Sequence, residues 1–152
     1  MKLLHEADWV ADYCRENGFT YGDAPINPAI NCDAKNFSCD RLVEWALYRA
    51  GYTDQPYSHG LVVYDESGSR DLSAYCEKLG FEKITDKKEL LPGDIVFVGN
   101  GTPGHTFIFA ERISGSTNYR YDGGSDWRIS QVQPYAETGD DMSRFLYAYR
   151  PR

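Results

Sequence analysis

The hydrophobic pattern of this sequence changes its period near residue 81, and that change limits the folds open to the chain. Before residue 81, apolar residues recur every three or four positions, which predicts amphipathic helices. After it, apolar and polar residues alternate, which is typical of strands with one buried face. Helices followed by strands predict the α+β class, with N-terminal helices packed on an antiparallel β-sheet.

The individual elements follow from the same periods and from the residues that end them. Glycines at positions 18, 51 and 80 mark helix ends, and Ser38 and Ser69 are of a type that favours the position just before a helix. The predicted helices cover residues 3–17, 39–50 and 70–79, and the predicted strands cover residues 81–84, 95–98, 105–110, 118–122, 127–132 and 144–150. In the last strand Phe145, Tyr147 and Tyr149 alternate, so they should share one side.

Length and charge exclude several classes of protein. The 152 residues fit one domain, 1–152, that buries about two-thirds of the surface of its unfolded chain. A net charge of -7 argues against a nucleic-acid partner, because phosphate contacts need clustered Lys and Arg. No run of about 18 apolar residues predicts a membrane span. The N-terminus is too acidic for a secretory signal, and the sequence carries no signal for an oligomeric state.

The cysteines at positions 14, 32, 39 and 76 are irregularly spaced and lack the paired C-x-x-C pattern of a zinc site. We therefore expect no metal site. A disulfide between Cys14 and Cys32 stays open as an alternative, but free thiols are the simpler expectation in a chain without a signal. Cys76 lies on the apolar side of its predicted helix and should belong to the core.

Cys39 is the strongest candidate for a reactive residue. It falls in the first turn of a predicted helix whose apolar stripe is Leu42, Val43, Ala46, Leu47 and Ala50. Unpaired backbone N–H groups and aligned peptide dipoles at a helix start favour an anion, so a thiol there ionises more readily than a free one. The alternative is a buried cysteine that acts as a small apolar side chain.

A cysteine hydrolase also needs a base and a polar group that orients the base. His105 begins a predicted strand directly after Gly104, and Asp122 ends the next strand. A helix start packed against the sheet edge would bring Cys39 to His105. Asn118 stays open as an alternative to Asp122, and His5 and His59 are weaker candidates for the base.

These motifs, in this order, resemble the NlpC/P60 family of cell-wall cysteine peptidases and the amidases that share their papain-like core. The resemblance runs from about Tyr21 to Ser125. It rests on Tyr21 in a loop, Ser38-Cys39-Asp40 opening a helix, Leu91-Pro92-Gly93-Asp94 before an apolar strand, and Gly104-His105 at the start of another. The family usually has aspartate before the nucleophile and serine after it, where this chain has Ser38 and Asp40.

The resemblance implies a papain-like fold and a peptidoglycan hydrolase that cuts an amide bond. That bond lies either within the stem peptide or between N-acetylmuramic acid and L-alanine. Cys39, His105 and Asp122 are then catalytic, Tyr21, Ser38 and Asp40 contact the substrate, and no cofactor takes part. The site of action is the bacterial cell wall, reached through phage lysis, a secretion apparatus or a longer chain.

Two other functions stay open on the sequence. A tyrosine-rich groove could hold a wall fragment or a peptide without cutting it, since the chain has 12 tyrosines. The same cysteine chemistry could also serve an acyltransferase or a deamidase that acts on protein side chains.

Overall fold

The computed structural model describes residues 2–18, 20–21, 36–37, 39–53, 68–112, 117–122, 131–136 and 143–152. In this part of the chain, three α-helices and a six-stranded sheet form the fold. The helices are α1 (Lys2–Glu16), α2 (Cys39–Arg49) and α3 (Gly68–Lys78). None of these described helices has both the length and the apolar character needed to cross a membrane.

The sheet is antiparallel throughout its described strands, in the order β3-β8-β4-β5-β6-β7. A separate parallel pair, β1 (Thr20–Tyr21) and β2 (Asn36–Phe37), precedes α2. The α+β class, with helices packed on an antiparallel sheet, is thus confirmed. The strands of the sheet are β3 (Glu82–Ile84), β4 (Ile95–Gly99), β5 (Pro103–Arg112), β6 (Thr117–Asp122), β7 (Gln131–Ala136) and β8 (Phe145–Arg150).

The helices cover one face of the sheet, which we call the helix face. Strand residues Ile95, Phe97, Ile108 and Tyr149 of this face are buried in one cluster with residues of all three helices. Because side chains alternate along a strand, the intervening residues form the opposite face. That opposite face has its own buried cluster: Ile84, Leu90, Val96, Val98, Phe107, Phe109 and Ala148.

Helix α2 ends as the sequence predicts. Gly51 adopts a left-handed conformation with φ of 86°. Its N–H donates to the Tyr48 carbonyl, and the N–H of Tyr52 donates to the Leu47 carbonyl. These two bonds form a Schellman motif, which needs a residue that tolerates positive φ and therefore favours glycine.

Three predictions about the elements need correction. Helix α3 begins at Gly68, so Ser69 lies inside the helix and does not precede it. The strand predicted at 127–132 is described only from Gln131 and continues to Ala136. Phe145 does not share a side with Tyr147 and Tyr149, because a register shift against β4 pairs it with Val98 and packs it on the opposite face.

Candidate active site

Cys39 is the first residue of α2, as the sequence predicts. The helix is held in place by its apolar stripe, because Leu42, Val43, Ala46, Leu47 and Ala50 are all buried in the helix-face cluster. The backbone of Cys39 therefore lies among the unpaired N–H groups of a fixed helix start, where an anion is stabilised. Ser38, predicted to cap this helix, lies outside the described residues.

The residue that follows α2 and Gly51 lies at the end of the sheet where β4 begins. Tyr52, just beyond the helix, contacts the ring of Phe81 at a centroid distance of 5.5 Å. It also lines a cavity with Asp94 and Arg150, where β4 begins and β8 ends. At 1.5 Å per residue the helix is about 16 Å long, close to the length of β4. A helix of this length that ran along β4 would begin near the end of the sheet where β4 ends and β5 begins.

His105 lies at the end of the sheet where β4 ends, as the third residue of β5 and opposite Val98 of β4. It is half-buried, and its ring lies 6.0 Å from the ring of Phe107, centroid to centroid. The prediction that His105, Phe107 and Phe109 share a face agrees with this contact and with the burial of both phenylalanines in the opposite-face cluster.

The position of α2 differs from the arrangement expected from the sequence. The helix packs on the face of the sheet that carries Ile108, not against a sheet edge, whereas His105 belongs to the opposite face. The described residues thus place the helix that begins with Cys39 on one face of the sheet and His105 on the other.

The pairing of β4 and β5 is irregular at this point. Val98 pairs with His105 and Gly99 pairs with Pro103, so Gly104 is an extra residue in β5. Such bulges occur often beside active sites, because they turn a side chain away from the regular pleat. The bulge therefore lies where the orientation of His105 is set.

We expect Gly99→Ala to destabilise the protein by about 3 kcal/mol, as overpacking does elsewhere. A Cβ at Gly99 would collide with the backbone oxygen of Thr102 and lie 2.8 Å from the backbone nitrogen of Gly104. Gly104→Ala is the matched control, since its Cβ would meet no atom within 4 Å. Urea unfolding of both variants measures the difference, and equal losses would contradict this account.

Asp122 is placed by the register of β6. Tyr121 pairs with Ile108, so the next position along β6, Asp122, falls opposite Phe107 and diagonal to His105. Diagonal positions share a face and have Cα atoms about 7–8 Å apart. Asn118 pairs with Arg112 at the other end of β6, about 23 Å along the strand from His105 at 3.3 Å per residue. The register therefore favours Asp122 over Asn118 as the neighbour of His105.

The three residues predicted to contact the substrate, Tyr21, Ser38 and Asp40, differ in how far the structure describes them. Tyr21 pairs with Phe37, two residues before Cys39, so β1 brings its backbone close to the start of α2. Asp40 lies in the first turn of α2 and is only 9% exposed. Burial limits its access to a substrate, and a carboxylate there is favoured by the helix dipole. Ser38 lies outside the described residues.

No protein-family model and no curated protein sequence matches this chain.

Glu44 is a buried acid that the sequence pattern did not single out. It is 3% exposed, although it follows Leu42 and Val43 in the apolar part of α2. Its spacing of four residues from Asp40 puts two buried carboxylates on one side of the helix. A charged residue within an apolar stripe was the signal that could have identified it.

Cys76 is a free thiol buried in the core, as predicted. Burial, and then the charge of Glu44, raise the pKa of this thiol. A protonated, inaccessible thiol is a poor nucleophile and a poor metal ligand. Among residues whose side chains are described, no three His, Cys, Asp or Glu residues group closely enough to bind a metal ion.

Proposed function

We propose that this protein is a cysteine amidohydrolase with a papain-like core that cleaves an amide bond of bacterial peptidoglycan. One observation carries the catalytic part of the proposal. Cys39 begins α2, and the register of the sheet puts Asp122 diagonal to His105, the third residue of β5; a helix that runs along β4 brings its first residue to that end of the sheet. The substrate class is supported by the resemblance to NlpC/P60 peptidases.

In the proposed reaction, His105 takes the proton of the Cys39 thiol, and the thiolate attacks the carbonyl carbon of the amide. The backbone N–H of Cys39, at the helix start, stabilises the oxyanion. The C–N bond breaks as the imidazolium returns its proton to the leaving amine. A thioester remains on Cys39, and water activated by His105 hydrolyses it to a carboxylic acid and the free thiol.

Asp122 has the third role. Its carboxylate accepts a hydrogen bond from the second ring nitrogen of His105, which fixes the tautomer and stabilises the imidazolium. Tyr21 contacts the substrate beside the thiol, since its strand pairs directly before α2. The reaction requires the imidazole to reach the thiol around the bulge at Gly104, which is the geometric condition on which the proposal depends.

Mass spectrometry of purified muropeptides of known structure, incubated with the protein, tests this proposal. We expect two products whose masses sum to the substrate plus one water, with one new amine and one new carboxylate. The product masses distinguish cleavage within the stem peptide from cleavage at N-acetylmuramic acid. Retention of intact muropeptide on the protein without products would instead indicate a binding module.

The acyltransferase alternative is tested in the same reaction. An added amine such as glycinamide competes with water for the thioester. A hydrolase gives mainly the carboxylic acid, whereas a transferase gives mainly the new amide.

We propose that the reaction takes place at the cell wall.

A further inference from the structure

A cavity of about 260 Å³ lies at the end of the sheet opposite the candidate active site. It is formed by the start of α1, the residue after Gly51, the turn before β4 and the end of β8. Its volume is slightly below the roughly 300 Å³ of the smallest common ligand pockets. It therefore has room for a ligand of about the size of one amino acid. The walls of the cavity include Leu3, Tyr52, Leu91, Pro92 and Pro151.

Two cationic side chains also line this cavity, Lys2 and Arg150. Within the part of the chain that is described, Arg150 donates from Nε and Nη2 to Asp94 and from Nη2 to the Glu89 carbonyl, and Nη1 has no acceptor. The ammonium of Lys2 lies 3.7 Å from the point where a Cβ of Gly51 would stand, above the carbonyl end of α2. That end of a helix favours a cation and helps to hold Lys2 there.

Among the described residues that line the cavity, Asp94 is the one carboxylate, and its charge is already neutralised. Asp94 is 1% exposed, and its two oxygens accept bonds from Arg150 and from the N–H of Leu91. Glu82 and Glu89 are close enough to influence Arg150 but do not line the cavity. Because the charges of Arg150 and Asp94 cancel, the net positive charge at the cavity wall comes from Lys2, Nη1 of Arg150 adds a hydrogen-bond donor, and the remaining walls are mostly apolar.

We propose that this cavity binds a small carboxylate with a compact apolar body, such as a free branched-chain acid or the C-terminal residue of a peptide. The carboxylate lies between Lys2 and Nη1 of Arg150, where charge-assisted hydrogen bonds are the strongest available. The apolar body packs against Leu3, Tyr52 and Leu91. This site is independent of the amidohydrolase proposed above.

Titration of the ¹⁵N-labelled full chain with N-acetyl-L-leucine, followed by amide NMR shifts, tests the proposal. We expect saturable shifts at Tyr52, Gly93 and Asp94. N-acetyl-L-leucinamide, which lacks the charge, should bind with an affinity at least about fivefold lower. Equal affinity for the acid and the amide would overturn the proposal, as would the absence of saturable shifts with the acid.

A matched pair of variants separates ligand binding from folding. Lys2→Gln should weaken N-acetyl-L-leucine binding about fivefold and leave the amide unaffected. Lys78→Gln removes a similar cation from the last turn of α3 and should change neither. If both variants lower the affinity for N-acetyl-L-leucine equally, the effect comes from the overall charge of the protein, and the proposed site is contradicted. The shorter acid 4-methylpentanoate shows whether the natural ligand is a free acid or the C-terminus of a peptide. If the site is built for a free acid, this compound should bind as tightly as N-acetyl-L-leucine. If the site is built for a peptide C-terminus, it should bind more weakly.

Discussion

Replacing Cys39 with alanine should reduce amide hydrolysis by at least about 10⁴-fold, because the acyl-enzyme route is lost with the nucleophile. His105→Ala should lower the rate of hydrolysis by a similar factor. The double variant should be no slower than either single variant, since nucleophile and base act as a unit. Rates of product formation from one defined muropeptide measure all three. Losses that multiply in the double variant would contradict a shared mechanism.

The pairing of Cys39 with His105 has a test that does not depend on the substrate. Alkylation of the Cys39 thiol by iodoacetamide, followed by peptide mass spectrometry, reports the thiolate fraction at each pH. A paired imidazolium favours the thiolate, so His105→Ala should move the alkylation profile upward by about one pH unit or more, toward the value of about 8.5 for a free thiol. An unchanged profile would contradict the pairing of the His105 ring with the Cys39 thiol.

Cys76→Ala is the control for both measurements. This variant removes a thiol of the same kind from a buried position, so hydrolysis and Cys39 alkylation should stay within about twofold of the parent. Because burial raises the pKa of Cys76 in the folded chain, the protonated thiol makes its full contribution to the free energy of unfolding below its ordinary pKa of 9.0. That contribution is lost as the pH rises further, so measurements near neutral pH avoid it.

The third residue can be assigned with two further variants. Asp122→Asn should lower the rate by about 10²–10⁴-fold, because an amide in place of the carboxylate favours the wrong tautomer of His105. Asn118→Ala should leave the rate almost unchanged, since its register position lies at the far end of β6. The reverse order would identify Asn118 as the orienting residue.

Local patterns were sufficient to predict the helix that carries Cys39. Its apolar stripe and the glycine at its end lie within 13 consecutive residues, and both are found as expected. The class of the fold follows in the same way, from helical periods that precede strand periods. These features depend on neighbours in the sequence, so one chain is enough to predict them.

The features that were not predicted depend on pairings between distant strands. Alternation along the strand predicted that Phe145 shares a face with Tyr147, but this prediction assumes a strand without a bulge. The register shift beside Val98 skips one residue of β8 and moves Phe145 to the other face. The choice of face for α2 is also non-local, because it depends on how β4, β5 and β8 present Ile95, Ile108 and Tyr149 together.

Replacing Asp94 with alanine should destabilise the protein by about 2–3 kcal/mol, because a buried carboxylate loses its charge-assisted hydrogen bonds to Arg150 and to the Leu91 N–H. Asp94 is 1% exposed, and Arg150 binds both of its oxygens at 2.8 and 2.9 Å. The same carboxylate accepts the Leu91 N–H at 2.8 Å and closes the Pro-Gly-Asp turn. The variant therefore loses the turn contact and leaves a guanidinium without its counter-ion.

The ion pair of Arg49 and Glu6 is a matched comparison, because its N–O distance is also 2.8 Å. Its side chains are 31% and 17% exposed, against 27% and 1% for Arg150 and Asp94. Solvent screens the more exposed pair, so Glu6→Ala should cost no more than about 1 kcal/mol. Urea unfolding measures both variants, and Asp94→Ala combined with Arg150→Leu should recover part of the loss, since no unpaired charge remains. If Glu6→Ala and Asp94→Ala cost the same, burial does not set the strength of these pairs and the turn before β4 is held by its backbone alone.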